Sequence, residues 1–112
     1  WLAPETPDEA VKTWAEAVKM RNGAVQYAVM TPSLKEKMRP DFEAKGWVTG
    51  VSSPWVDSYK ITNQNEVSAN NWEYELEFYL KTSTGDAGVG ERRLDVQKID
   101  GHWYIADLHD AR

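Results

Sequence analysis

The stretch Leu94-Asp95-Val96-Gln97-Lys98-Ile99-Asp100-Gly101-His102-Trp103-Tyr104-Ile105-Ala106-Asp107-Leu108 decides the fold. Two strand-like runs meet at Asp100-Gly101, a dipeptide suited to a two-residue hairpin loop because both central positions take positive φ. With those two residues as the loop, Val96 faces Ile105 and Lys98 faces Trp103. Leu94, Val96, Trp103 and Ile105 then share one face, and Asp95, Gln97 and Tyr104 share the other. One apolar and one polar face describe an antiparallel sheet covered on a single side.

Working back from the hairpin, Trp72 to Thr82 alternates as strictly. Trp72, Tyr74, Leu76, Phe78 and Leu80 fall on one face, and Glu73, Glu75, Glu77, Tyr79 and Lys81 on the other. Ser83 to Gly90, with three Gly, reads as the joining loop. An earlier strand spans about Trp55 to Asn63 with Tyr59 and Ile61 inward, and polar residues up to Asn71 read as a connection.

Helices precede the strands. Thr6-Pro7-Asp8-Glu9 is a capping-box start, and Ala10, Val11, Trp14, Ala17 and Val18 form an apolar stripe of a helix running to about Arg21. Gly23 is expected to end it in the left-handed conformation. A short helix follows over Ala24 to Met30. Thr31-Pro32-Ser33 starts a third, which Pro40 breaks or restarts before Gly46. The segment from Trp47 to Trp55 is irregular yet apolar, either a plug or a partner-binding rim.

Helices followed by strands give an α+β class: three N-terminal helices packed on a curved antiparallel sheet of about four strands. At 112 residues the chain forms one domain, and 41 % apolar residues suffice for a core. Six Trp and five Tyr suit filling or lining the space between sheet and helices. A net charge of −5 without a basic stripe argues against nucleic acid. No apolar run reaches membrane-span length, and no disulfide or thiolate metal site can form without Cys. The chain starts at Trp1 without Met, which reads as a fragment of a longer precursor or protein.

This order resembles the nuclear transport factor 2-like superfamily, the cone-shaped fold also grouped as cystatin-like. The resemblance rests on Thr6-Pro7-Asp8-Glu9-Ala10-Val11 through Trp14, on Asn22-Gly23-Ala24 through Tyr27 to Thr31-Pro32, and on Lys98-Ile99-Asp100-Gly101-His102-Trp103-Tyr104-Ile105. It covers nearly the whole chain and implies a single domain over residues 1–112. Within the superfamily the chain is most similar to small extracytoplasmic bacterial domains attached to membrane proteins, lipoproteins or sensor proteins. Isomerases, dehydratases and cyclases share the fold, so fold alone does not choose an activity.

The resemblance places a ligand site between the concave sheet face and the helices, lined by Trp14, Tyr27, Trp47, Trp55, Tyr59, Trp72, Tyr74 and Trp103. An enzyme would add an inward acid or His. The strand from Trp72 offers none, since its Glu residues alternate outward. Asp57 shares a face with Trp55, Tyr59 and Ile61 if its strand is regular, and otherwise lies in a bend near Pro54. His102 flanks the hairpin loop and is expected to be exposed. His109, beside Asp107 and Asp110, reads as part of a solvated tail rather than a metal ligand. Neither a nucleophile elbow nor a phosphate-binding Gly loop is present.

The expectation is a non-catalytic domain of an exported or membrane-associated bacterial protein, binding a protein partner or a small apolar ligand. No cofactor, metal or nucleic acid is expected, the membrane enters only through a missing anchor, and a homodimer could form through the open sheet face around Tyr79. The alternative is a small cone-fold isomerase or dehydratase with Asp57 as general base and Tyr27 or Tyr59 polarising a carbonyl.

Overall fold

The computed structural model describes residues 2–50 and 53–110. Among these, helices α1 (Pro7–Lys19), α2 (Gly23–Ala28) and α3 (Pro32–Ala44) precede strands β1 (Trp55–Ser68), β2 (Asn71–Thr82), β3 (Gly85–Ile99) and β4 (His102–Asp110). The strands form one antiparallel meander in the order β1-β2-β3-β4. The α+β architecture is the one expected.

The helix starts follow the sequence closely. Thr6 Oγ1 accepts the Glu9 N–H at 3.0 Å, while the Glu9 carboxylate takes the Glu5 N–H at 3.2 Å, so the reciprocal bond closes one residue early. Ala10, Val11, Trp14, Ala15 and Ala17 are the buried side of α1. Thr31 Oγ1 accepts the Leu34 N–H at 3.3 Å and Pro32 takes the first helical position.

Two expectations fail here. The left-handed residue after α1 is Arg21, at φ 59°, and not Gly23. Gly23 opens α2 behind its Asn22 cap and donates its N–H to the Trp47 carbonyl at 2.9 Å. A Cβ at Gly23 would lie 2.8 Å from that carbonyl oxygen and 3.0 Å from Phe42 Cδ1, so close backbone approach is what requires glycine there. Pro40 does not break α3, which runs through it. Pro40 and Glu36 are both exposed, so water can satisfy the Glu36 carbonyl that loses its helical donor.

The strands are longer than the hydrophobic pattern suggests. Asn63 to Ser68 belongs to β1 and pairs with Asn71 to Glu75, leaving only Ala69 and Asn70 in the turn. The expected loop over Ser83 to Gly90 is mostly β3, because Thr82 already pairs with Gly85. The last hairpin has the expected register, with Val96 opposite Ile105 and Lys98 opposite Trp103. Asp100 and Gly101 have φ of 51° and 82°, the signs that a type I′ turn needs.

Register shifts interrupt all three strand pairs. Each extra residue bends its strand and increases twist, which is how the sheet curves around the helices. Leu94, Val96, Ile105, Tyr74 and Leu76 are at most 1 % exposed beneath Val11, Trp14 and Met30. Each such aliphatic side chain contributes roughly 1.5–3 kcal/mol of burial. The α2–α3 joint is laced to β4: Ile105 donates its N–H to the Val29 carbonyl at 2.8 Å and accepts from Thr31 N–H at 2.9 Å.

Candidate functional site

Among the described residues the most enclosed recess lies where the C-terminal half of α1 faces the curled end of the sheet. Trp14, Val18 and Arg21 come from the first helix and its exit, and Gln26 from α2. Thr49, Gly50 and Pro54 come from the irregular segment, and Val56, Phe78, Leu80, Gly90, Arg92 and Leu108 from the sheet, with Trp55 opening β1. The cavity measures about 340 Å³. That is near the low end for small-molecule sites, roughly 300–1,000 Å³.

Local structure explains each wall. Phe78 and Leu80 point inward by strand alternation, and Val56 stands opposite Leu80. Gly90 pairs with Phe78 and contributes no side chain, which keeps the recess open. Gln26 is 6 % exposed and donates from Nε2 to Thr49 Oγ1 at 2.8 Å, tying α2 to the irregular segment. Thr49 N–H also bonds the Arg21 carbonyl at 3.3 Å. This segment is therefore a wall of the cavity; Val51 and Ser52, at its middle, lie outside the described residues.

Two features give the cavity a chemical sign. Among the described residues its lining holds Arg21 and Arg92 but no Asp or Glu. The Trp14 indole Nε1 is buried without a hydrogen-bond partner. Such a donor costs roughly 1–3 kcal/mol until an acceptor meets it.

The predicted lining residues divide among several places. Trp14 and Trp55 line the cavity. Tyr59 packs on Phe78 with ring centroids 6.3 Å apart and lines a separate cleft with Asp8 and Lys12. Burial, aided by the Glu16 charge, holds its phenol above the usual tyrosine range. Trp47 stacks on Phe42 of α3 at 5.7 Å and meets Tyr27 of α2 edge-on, so it packs against these two helices. Tyr27 accepts hydrogen bonds from Arg39 Nε and Nη2 at 3.0 and 2.6 Å, with Lys35 over its ring. Tyr74 and Trp103 are core residues at 1 % and 6 % exposure, and half-buried Trp72 packs at 6.1 Å from Tyr74. The Tyr74 hydroxyl donates to Asp8 Oδ1 at 2.6 Å.

The residues of the enzymatic alternative are not brought together. A bulge between Val56 and Ser58 removes Asp57 from the regular alternation that would have put it beside Tyr59. Its carboxylate instead pairs with Lys81 Nζ at 3.3 Å, and both side chains are nearly half exposed. Tyr27 is engaged with Arg39 on the helical side.

Arg21, Gln26, Thr49 and Arg92 were not among the site residues expected from the sequence. The only local signal was Arg21 itself, a cation directly before the Asn22-Gly23 pair that caps and opens α2. The expected tail around His109 is ordered as β4, where His109 stands opposite Arg93 and Asp107 opposite Asp95.

No protein-family model matches the chain, and neither does any curated protein. Solved structures do match. A SEC-C motif containing protein from Rhodopseudomonas palustris superposes with a TM-score of 0.76 at 12 % identity, covering 99 % of this chain and 83 % of that one. An NTF-2 like protein of unknown function from Shewanella oneidensis gives 0.67 at 14 %, covering 94 % and 95 %. The intermembrane space region of the chloroplast protein ARC6 gives 0.63 at 10 %, covering 98 % and 97 %. At such identities these likenesses establish the fold: the chain has the cone-shaped architecture of NTF-2 like proteins.

Proposed function

We propose that the chain is a non-catalytic binding domain whose cavity takes a small apolar molecule with an anionic head, of the medium-chain carboxylate class. The observation that carries this is the sign of the lining. A chain of net charge −5 sets Arg21 and Arg92 around an apolar recess whose described lining holds no carboxylate. Arg21 has no ion-pair partner among the described residues, so an incoming anion would complete it. The apolar body would lie against Val18, Val56, Phe78 and Leu80, and an acceptor could meet the Trp14 indole N–H.

We further propose an extracytoplasmic setting, as part of an exported or membrane-associated bacterial protein. Its support is the likeness to an intermembrane-space region. Among the described residues no helix is long and apolar enough to cross a membrane. A homodimer through the outer sheet face is the weaker partner reading. That face carries Glu73, Glu75, Glu77, Glu91, Asp95 and Asp107, and two copies would oppose like charges.

The test is a titration of the chain with octanoate followed by tryptophan fluorescence, since Trp14 and Trp55 line the cavity. A saturable change is expected in the wild type. Arg21→Gln is expected to weaken it about tenfold, the worth of one charge-assisted contact, and octanol should bind more weakly than octanoate. No saturable change in the wild type, or equal affinity after Arg21→Gln, would contradict the proposal.

A further inference from the structure

The outer face of the sheet carries a second constellation, on the side of β3 and β4 away from the cavity. It begins with a register shift. Val96 pairs with Ile105 but Asp95 pairs with Asp107, so Ala106 is an extra residue in β4. Without it, strict alternation from Trp103 and Ile105 would aim Asp107 into the core. With it, Leu108 turns inward opposite Leu94, and Asp107 and His109 join Asp95 and Arg93 on the outer face.

There the donors converge. His109 Nε2 lies 2.9 Å from Asp95 Oδ2 and 3.5 Å from Asp107 Oδ2. One ligand atom from each of the three residues falls within 4.8 Å of the other two. All three side chains are partly buried, at 33 %, 38 % and 41 % exposure, so they are held by the sheet yet reachable from water. In a tetrahedral zinc site, bonds of about 2.0–2.1 Å place donors roughly 3.3 Å apart. The two imidazole–carboxylate distances bracket that edge length.

The charge pattern is a separate observation. Glu73 is opposite Asp95, and Asp95 is opposite Asp107, giving a row of carboxylates across adjacent strands. Like charges directly opposite destabilise a sheet. The neighbouring row supplies Glu75, Arg93 and His109, so Arg93 is the fixed cation at hand. A divalent ion held by the histidine nitrogen and two carboxylates would neutralise the row more completely.

We propose that Asp95, Asp107 and His109 form a surface site for a zinc-class divalent cation, with solvent or a partner's ligand at the open coordination position. One imidazole and two carboxylates suit Zn2+, whose usual donors are N and O when thiolates are absent. The site is independent of the cavity, because its residues lie on the opposite face.

Calorimetric titration of the tag-free, metal-stripped chain with Zn2+ tests this directly. One ion per chain is expected to bind, and His109→Ala and Asp107→Asn should each weaken binding by roughly tenfold or more. His102→Ala, which changes the other histidine, should bind as the wild type does. Circular dichroism of each variant checks that β4 remains folded. Should His109→Ala lose its fold, Asp107→Asn preserves side-chain size and decides alone. No binding in the wild type, or undiminished binding in a folded Asp107→Asn, would overturn the site. Octanoate binding to Asp107→Asn should be unchanged, so a failure here leaves the cavity proposal standing.

Discussion

Tyr74 is buried to 1 % exposure, and its hydroxyl reaches from the sheet to Asp8 in the first turn of α1. Burial, then the hydrogen bond to Asp8, then the carboxylate's charge hold this phenol well above the usual tyrosine range. The folded chain therefore keeps a proton that the unfolded chain begins to release near pH ~10. The resulting stability is complete below that pH and is lost as pH rises toward the folded-state value. Tyr74→Phe should cost about 1–2 kcal/mol at neutral pH in urea unfolding. Above pH ~10 its stability should fall less steeply than the wild type's. Gly23 makes a different prediction at the same scale. Gly23→Ala drives a Cβ onto the Trp47 carbonyl and should destabilise by about 1–3 kcal/mol, despite alanine's better helix propensity. Sequence alone identified Gly23 as special but for the wrong reason, because the 2.8 Å approach involves a residue 24 positions away.

At the scale of elements, the closing hairpin was legible because turn chemistry and alternation agreed. Gly101 sits at φ 82°, so Gly101→Ala should cost about 1–2 kcal/mol, measurable by thermal or urea unfolding. The register should be retained, since Val96, Trp103 and Ile105 still specify it. Strand ends were less legible. Asn63 to Ser68 and Gly85 to Gly90 carry little apolar signal, and only main-chain pairing to β2 makes them strand. Bulges were invisible for the same reason. The one before Ser58 separates Asp57 from Tyr59, and the one at Ala106 turns Asp107 and His109 outward. Each shift moves a chemically competent side chain between faces without any mark in composition.

At the scale of the whole molecule, helices and sheet close a cone whose apolar lining was expected, while its polar groups were not. Aromatic residues were assigned to one cavity, yet most fill the core or pack between helices, as large rings do when they bury area. Arg21, Gln26, Thr49 and Arg92 meet only through tertiary folding, so no spacing in the chain reveals them. The proposed binding function puts an apolar anion in this recess and not in another aromatic cluster. Two-dimensional 15N–1H NMR resolves the indole N–H of each tryptophan, assigned by single Trp→Phe substitutions, and octanoate can be titrated against it. Saturable shifts are expected for Trp14 and Trp55, with the Trp72 and Trp103 signals nearly unmoved. Shifts confined to Trp47, Trp72 or Trp103, or no saturable shift at Trp14, would contradict it.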